Sequence, residues 1–336
     1  MSSEECSEKY NTPTSQHLVL IPTDVPEHLS SEMDFLDSTF FSQGVGRMLP
    51  TAEEVRARAP ASSFLLPDPP PVTFPELRLL VKWGPVPQVT PHEALCLRAL
   101  RTTFGDKFPV PEVFGWRVVD DVTFIYMCLI DGTTLNDRWP DLTDTEKAYA
   151  CGHLRNIITA LRSVRQGPSD TFIGTRMEAC HHRMVLLILK GSLNRGAVLD
   201  TFFRWEKLNK TAFPDVKTFQ DWYSTLPQMR MNFPPEKRFV EPYRQYLPDD
   251  GPITFTHADL HRGNVIVARN GPPRILAILD WAQSGWYPDY WEYGKAQFLA
   301  RQDDEWLQKY IPMFLMPRET EAIVMCEYAA AIGGLV

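Results

Sequence analysis

Asp259, Asn264 and Asp280 are the side chains whose types and spacing could do chemistry together. Two carboxylates and a carboxamide are oxygen donors, able to hold a hard cation and to take a proton from a reacting hydroxyl. Asp259 and Asn264 lie in Thr256-His257-Ala258-Asp259-Leu260-His261-Arg262-Gly263-Asn264-Val265-Ile266-Val267, and Asp280 nearly closes Ile275-Leu276-Ala277-Ile278-Leu279-Asp280-Trp281. Both runs are rich in aliphatic and β-branched residues, and they flank Arg269-Asn270-Gly271-Pro272-Pro273. Asn-Gly and Pro-Pro are strong turn signals, so the segment reads as a β-hairpin. Such a hairpin would set Asn264 beside Asp280, with Asp259 in the loop entering the first strand, and gather all three at its open end. A rival reading uses His257, Asp259 and His261, which at i, i+2 and i+4 would share one face of a strand and could chelate zinc or iron for hydrolysis. It leaves Asn264, Asp280 and the pair described next without a role.

That pair is Lys82 and Glu93. Glu76 to Trp83, with Leu77, Leu79, Leu80 and Val81, reads as a strand ending in Lys82-Trp83-Gly84, where a lysine is ordinarily a solvated edge residue. The following Thr90-Pro91-His92-Glu93 opens a helix with an N-cap threonine, a proline at the first helical position and a glutamate three residues after the cap. Capping is thus the bland role for Glu93. Yet Glu93, Leu97 and Leu100 share one face at i, i+4 and i+7, which turns the carboxylate inward. An inward carboxylate needs a cation, and Lys82 is the candidate.

The spacing His-x-Asp-x-x-x-x-Asn, followed by an apolar strand and Asp-aromatic, resembles the catalytic loop and metal-binding segment of protein-kinase-like enzymes. More narrowly, His257-Ala258-Asp259-Leu260-His261 with Asn264 and Asp280-Trp281 resembles the aminoglycoside phosphotransferase family, and Trp286-Tyr287-Pro288-Asp289-Tyr290-Trp291-Glu292-Tyr293 resembles its large fungal branch. The likeness spans roughly residues 50 to 310. It implies a two-lobed α+β protein-kinase-like fold. A small N-terminal antiparallel β lobe with one helix, residues 31–131, would precede a larger, mainly helical C-terminal lobe, residues 132–336. It also implies Asp259 as the base that orients and deprotonates the acceptor, Asn264 and Asp280 as Mg2+ ligands, and Lys82, oriented by Glu93, on the phosphates of ATP or GTP. The strand Val122 to Ile130 would carry the hinge, with Met127, Cys128, Leu129 and Ile130 along the adenine and backbone groups near Cys128 and Ile130 reading its edge. The implied activity is transfer of the γ-phosphate to a hydroxyl of a small molecule: aminoglycoside-like, a sugar, an amino alcohol or a secondary metabolite.

Several residues depart from the family pattern. Ala258 stands where glycine is frequent and Arg262 where proline is; Arg262 reads as solvent-facing, with a phosphate contact as the alternative, and His257 as a brace for the loop. Phe172-Ile173-Gly174 resembles a landmark normally followed at once by something like Gly191-Ser192-Leu193-Asn194-Arg195-Gly196. Thr175 to Lys190 intervenes and reads as an insertion or a retained intron, and its Cys180-His181-His182 has the wrong spacing for zinc. No glycine-rich phosphate loop is recognisable, since Gly44-Val45-Gly46 reads as a plain turn. That keeps open a kinase-like fold used as a binding or scaffolding module.

The elements that must position these groups are legible in part. Residues 1–30 are polar and read as a mobile tail. Ser30 to Gly44 reads as a short helix, Pro67 to Pro75 as an extended connector, and Asp120-Asp121 as a turn before the strand from Val122. Thr143-Asp144-Thr145-Glu146 is a capping box, with Leu154, Ile157, Ile158 and Leu161 as a helical stripe behind it. Residues 200–250 are aromatic and read as a cover for the acceptor cleft. Six aromatics between Trp281 and Tyr293 read as mostly core, with one or two left for the substrate rim. Glu305 to Leu315 and Thr320 to Ala331 read as closing helices.

Composition narrows the partners. At 336 residues and 44% hydrophobic, the chain can bury a core in each of two lobes. Its net charge of −8, with the signs mixed, argues against a nucleic-acid or anionic-membrane surface. Cys6, Cys96, Cys128, Cys151, Cys180 and Cys326 form no Cys-x-x-Cys pair and read as reduced thiols. The acidic start Met1-Ser2-Ser3-Glu4-Glu5 lacks the apolar stretch of a signal peptide, and Met184 to Leu189 is too short to span a bilayer. The expectation is a cytoplasmic monomer that meets a hydroxyl-bearing small molecule, without nucleic acid or membrane.

Overall fold

The computed structural model describes residues 18–19, 31–44, 46–66, 68–86, 88–166, 171–174, 198–203, 212–300 and 305–333. The expected tail (18–19 apart), Val45 and the expected insertion with its Cys-His-His run lie outside them.

The fold is α+β. Its first part contains β1 (Glu32–Asp34), α1 (Ala52–Arg58), β2 (Val72–Phe74), β3 (Leu79–Pro85), α2 (Pro91–Phe104), β4 (Val113–Val119) and β5 (Val122–Cys128). The five strands form one wholly antiparallel sheet in the order β1-β4-β5-β3-β2. Asp120 and Asp121 join β4 to β5 with φ of 53° and 59°, the two-residue turn whose twist matches that of the strands. Strand alternation then decides what each face meets. Leu79, Val81 and Trp83 of β3 are buried with Phe124, Tyr126 and Val55 of α1. Lys82, paired in register with Ile125, lies on the opposite face, where Ile125, Met127 and Trp116 pack with Leu97 and Leu100 of α2. A period of two in the strand and of 3.6 in the helix therefore brings Lys82 and Glu93 to one interface.

The second part begins with β6 (Thr133–Thr134) and α3 (Asp144–Ser163), whose capping box between Thr143 and Glu146 is formed as the sequence predicts. It continues with α4 (Val216–Arg230), β7 (Ile253–Thr256), β8 (Val265–Val267), β9 (Ile275–Ile278), β10 (Gly285–Pro288), α5 (Trp291–Leu299) and α6 (Glu319–Ile332). β8 and β9 form the expected hairpin, and β6 pairs the free side of β8. A side chain at Gly132 would not fit there, since a Cβ would come within 2.4 Å of Ile266 Cγ2 and 2.8 Å of the Val267 carbonyl oxygen. β7 pairs β10, with Thr256 opposite Gly285. The two ladders lay the loops 257–264 and 279–284 alongside each other.

Several boundaries differ from the sequence reading. Ser30 to Gly44 is not one helix: it holds β1 and a single helical turn, Thr39–Ser42. The proline-rich connector contains β2, and β3 starts at Leu79, after Arg78 at φ 53°, and runs past Lys82 to Pro85. Lys82 is thus central in its strand. Two α-helices of more than one turn, not one, flank the sheet; α1 carries a formed Thr51–Glu54 capping box that the sequence displays. Of the closing helices, Trp306–Tyr310 is π-type and runs into a short α-turn, Ile311–Phe314. All six aromatics Trp281, Trp286, Tyr287, Tyr290, Trp291 and Tyr293 are buried, so none is left for a rim.

Candidate active site

Glu93 does not cap its helix. The Thr90 side chain makes no capping bond, and the Glu93 carboxylate is buried, accepting from Lys82 Nζ at 2.8 Å and from the Trp281 amide at 3.3 Å. Lys82 Nζ also donates to Asp280 Oδ1 at 2.8 Å. Burial works against the ammonium, but Glu93 and Asp280 together outweigh it and raise the Lys82 pKa. Burial likewise works against the Asp280 carboxylate, and Lys82 overcomes it, so Asp280 stays ionised. One cation therefore holds two carboxylates from distant parts of the chain.

The loop carrying Asp259 is fixed mostly through its backbone. Glu292, at the start of α5, is buried and accepts from the His257 amide at 2.7 Å and the Ala258 amide at 3.2 Å. Its own burial pushes its pKa up to about 7, against the opposing pull of these amides. Ala258 takes a left-handed conformation, φ 66°, as does Asp280 at φ 60°. Non-glycine residues seldom adopt this region, and their presence on both loops marks a constrained site. His257 braces the loop: its Nδ1 accepts from the Asp259 amide at 3.1 Å, its Nε2 faces the Leu279 carbonyl at 2.9 Å, and its ring meets Trp281 edge-on at 4.5 Å. Burial pushes its pKa down to about 4, so the ring is neutral.

Asn264 ties the candidate groups together. Its Nδ2 donates to the Asp259 carbonyl at 2.9 Å and to Asp259 Oδ2 at 3.1 Å, while its own carbonyl accepts from the Leu279 amide at 2.8 Å. With Nδ2 committed, the amide oxygen is the atom available to a cation. Burial and the neighbouring Asp280 charge both raise the Asp259 pKa, which makes it a better proton acceptor than an exposed aspartate. Asp259, Asn264, Asp280, Lys82 and Glu93 thus form one contiguous cluster. The zinc or iron chelate does not form: both His257 nitrogens face backbone groups, Nδ1 the Asp259 amide and Nε2 the Leu279 carbonyl of the neighbouring loop, and His261 Nδ1 accepts from the Gly263 amide at 3.1 Å.

Met127 is buried and Cys128 and Ile130 are half-buried at the end of the sheet, but the Cys128 amide donates to the Glu112 carbonyl at 2.8 Å. That one backbone donor is therefore taken. Arg262, expected to face solvent, is instead half-buried, and its guanidinium lies over the rings of Trp139 and Trp306.

Sequence reasoning missed a second buried layer. Lys295 Nζ donates to Asp200 Oδ1 at 2.8 Å and Gln283 Oε1 at 3.1 Å, and Trp291 Nε1 donates to Asp200 Oδ2 at 2.8 Å. This locks residues 198–203 against α5 and the turn after Asp280. The signal was present: Glu292 and Lys295 are charged residues in a helix whose neighbours Trp291, Tyr293 and Ala296 are all apolar, and such charges are buried only with partners.

Residues 79–322 match the model of the phosphotransferase enzyme family (APH), and the chain belongs to that family. No curated protein matches the sequence significantly.

Proposed function

We propose that this protein is a small-molecule kinase that moves the γ-phosphate of ATP, or of GTP, to a hydroxyl with the help of Mg2+. The acceptor class is an aminoglycoside-like compound, a sugar, an amino alcohol or a secondary metabolite. In this reading residues 31–131 form the nucleotide lobe and 132–336 the catalytic lobe of a kinase-like fold. The observation that carries it is Lys82 held at 2.8 Å between Glu93 and Asp280, with Asn264 fastening Asp259 in the adjoining loop.

The donor set suits the metal. Asp280 and the Asn264 amide offer hard oxygens in too small a number for a closed protein cage, which fits an ion that keeps waters and shares substrate phosphates. Mg2+ would supply charge neutralisation on the transferring phosphate. The chain's residues do the rest. Lys82 is pre-oriented by Glu93 for the phosphates, and Asp259 accepts the acceptor proton with its carboxylate steadied by Asn264. Glu292 keeps the loop backbone in place, and the neutral His257 does not compete for the proton. The four described cysteines, Cys96, Cys128, Cys151 and Cys326, are free thiols, in keeping with a reducing, cytoplasmic setting. No helix among the described residues is long and apolar enough to cross a membrane.

The test is transfer of labelled γ-phosphate to a panel of hydroxyl-bearing metabolites. Asp259→Asn should lower turnover by about 10²–10⁴-fold while nucleotide binding persists. A wild-type protein that binds nucleotide with Mg2+ yet transfers to no acceptor and releases no phosphate would favour the scaffolding alternative.

A further inference from the structure

The turn Arg262–Asn264, which carries a candidate metal ligand, has an anchor on its outer side. The Arg262 guanidinium carbon lies 5.2 Å from the centroid of the Trp139 ring and 5.6 Å from that of Trp306. The two indoles meet edge to face, 5.0 Å apart at 87°, and Tyr310 meets Trp139 in the same way at 4.9 Å and 90°. Trp139, Trp306 and Tyr310 are all buried, so their rings form a fixed surface. Two segments far apart in sequence, one carrying Trp139 and the other Trp306 and Tyr310, thus meet at one side chain of the loop.

Within the turn, the backbone leads directly from that side chain to Asn264. The Asn264 amide donates to the His261 carbonyl at 3.0 Å and the Gly263 amide to His261 Nδ1 at 3.1 Å. Gly263 adds no side chain. The outward hold on the turn therefore falls to Arg262, while the inward hold is the Asn264 bond to Asp259.

We propose that Arg262 is a positioning residue. Docked on the Trp139–Trp306 pair, it fixes the turn so that Asn264 can hold Asp259 through Nδ2 and present its amide oxygen to the metal. This rests on the phosphotransferase reading and adds to it a residue that touches neither substrate nor metal. A planar, weakly hydrated guanidinium suits two indole surfaces better than a compact ammonium does, so arginine and lysine are not equivalent here.

Two readouts on the full-length protein test this. The first is amide hydrogen exchange over peptides covering 257–266. Arg262→Ala should speed exchange in the turn by about threefold to thirtyfold, the range expected from losing cation–π contacts of ordinary strength, with β5 unchanged. The second is a Mg2+ titration with adenylyl imidodiphosphate as the probe, read as the shift in melting temperature. The Mg2+ midpoint should rise in Arg262→Ala by a similar factor, and Arg262→Lys should fall between it and wild type in both readouts. Exchange in the turn that matches wild type overturns the clamp; faster exchange with an unmoved Mg2+ midpoint overturns the positioning role. If Arg262→Ala does not fold, Arg262→Lys and Trp306→Phe carry the same two measurements. A wild-type protein that ignores Mg2+ and probe together, with exchange in the turn still governed by Arg262, would overturn the phosphotransferase reading and leave the clamp purely structural.

Discussion

At the residue scale, the site is governed by where burial and charge leave each proton. Glu292 and His92 make this measurable because their shifts oppose each other. Burial raises the Glu292 pKa to about 7, so its favourable contribution is complete below the unfolded value and fades as pH rises through 7. Burial lowers the His92 pKa to about 4, so its contribution is complete above the unfolded value near 6.5 and fades as pH falls towards 4. His257, also lowered to about 4, acts in the same sense as His92, so between pH 4.5 and 6.5 the Glu292 slope partly cancels those of the two histidines. Glu292→Gln removes that opposing slope, and its melting temperature should therefore fall more steeply on acidification than that of wild type. Parallel profiles from scanning calorimetry would contradict the assignment of a raised pKa to Glu292.

At the element scale, α5 shows how a helix can serve the site from beneath. Trp291, Tyr293 and Ala296 are buried alongside Glu292 and Lys295, and the ammonium of Lys295 neutralises Asp200 where neither side chain meets water. Lys295→Met leaves that carboxylate stranded and should cost about 3–5 kcal/mol in chemical denaturation. Pairing it with Asp200→Leu should recover most of the loss, since an apolar pair of similar volume replaces a buried ion pair at little cost. The β8–β9 hairpin was legible because Asn270-Gly271 and two aliphatic runs agree on one local answer, and α3 because Thr143 and Glu146 announce its start. The inward turn of Glu93 was legible from its spacing to Leu97 and Leu100, although the same residue also satisfied a capping pattern. What could not be read were pairings set by tertiary contact: Asp200 with Lys295, Glu292 with two loop amides, and Arg262 with two indoles. Each joins residues from separate segments, and no local pattern in either segment fixes the partner. β1 and β2 were misread for a related reason, since short edge strands depend on their neighbours more than on their own propensity.

At the scale of the whole molecule, contacts around α2 help to join the sheet to the helical body. The Lys82–Asp280 pair, the Trp281 amide on Glu93, His92 Nε2 against the Ser284 carbonyl at 3.2 Å and Ser284 Oγ against Cys96 Sγ at 3.1 Å all cross there. A nucleotide held by the same groups should raise the stability of the chain as a unit. At a hundredfold excess over the dissociation constant, Mg·ATP should add about 2.7 kcal/mol, seen as one unfolding transition displaced upward by several degrees. Lys82→Met should remove most of that displacement; a full shift in the variant would show that the lysine has no part in nucleotide binding. The same lysine also bears on which ions the pocket can favour. Because the chain furnishes Asp280 with a tethered monovalent partner of its own, sodium or potassium would bring nothing that the ammonium does not already supply. Only a visitor of higher valence, escorted by phosphate oxygens that can engage the displaced ammonium, has reason to settle there.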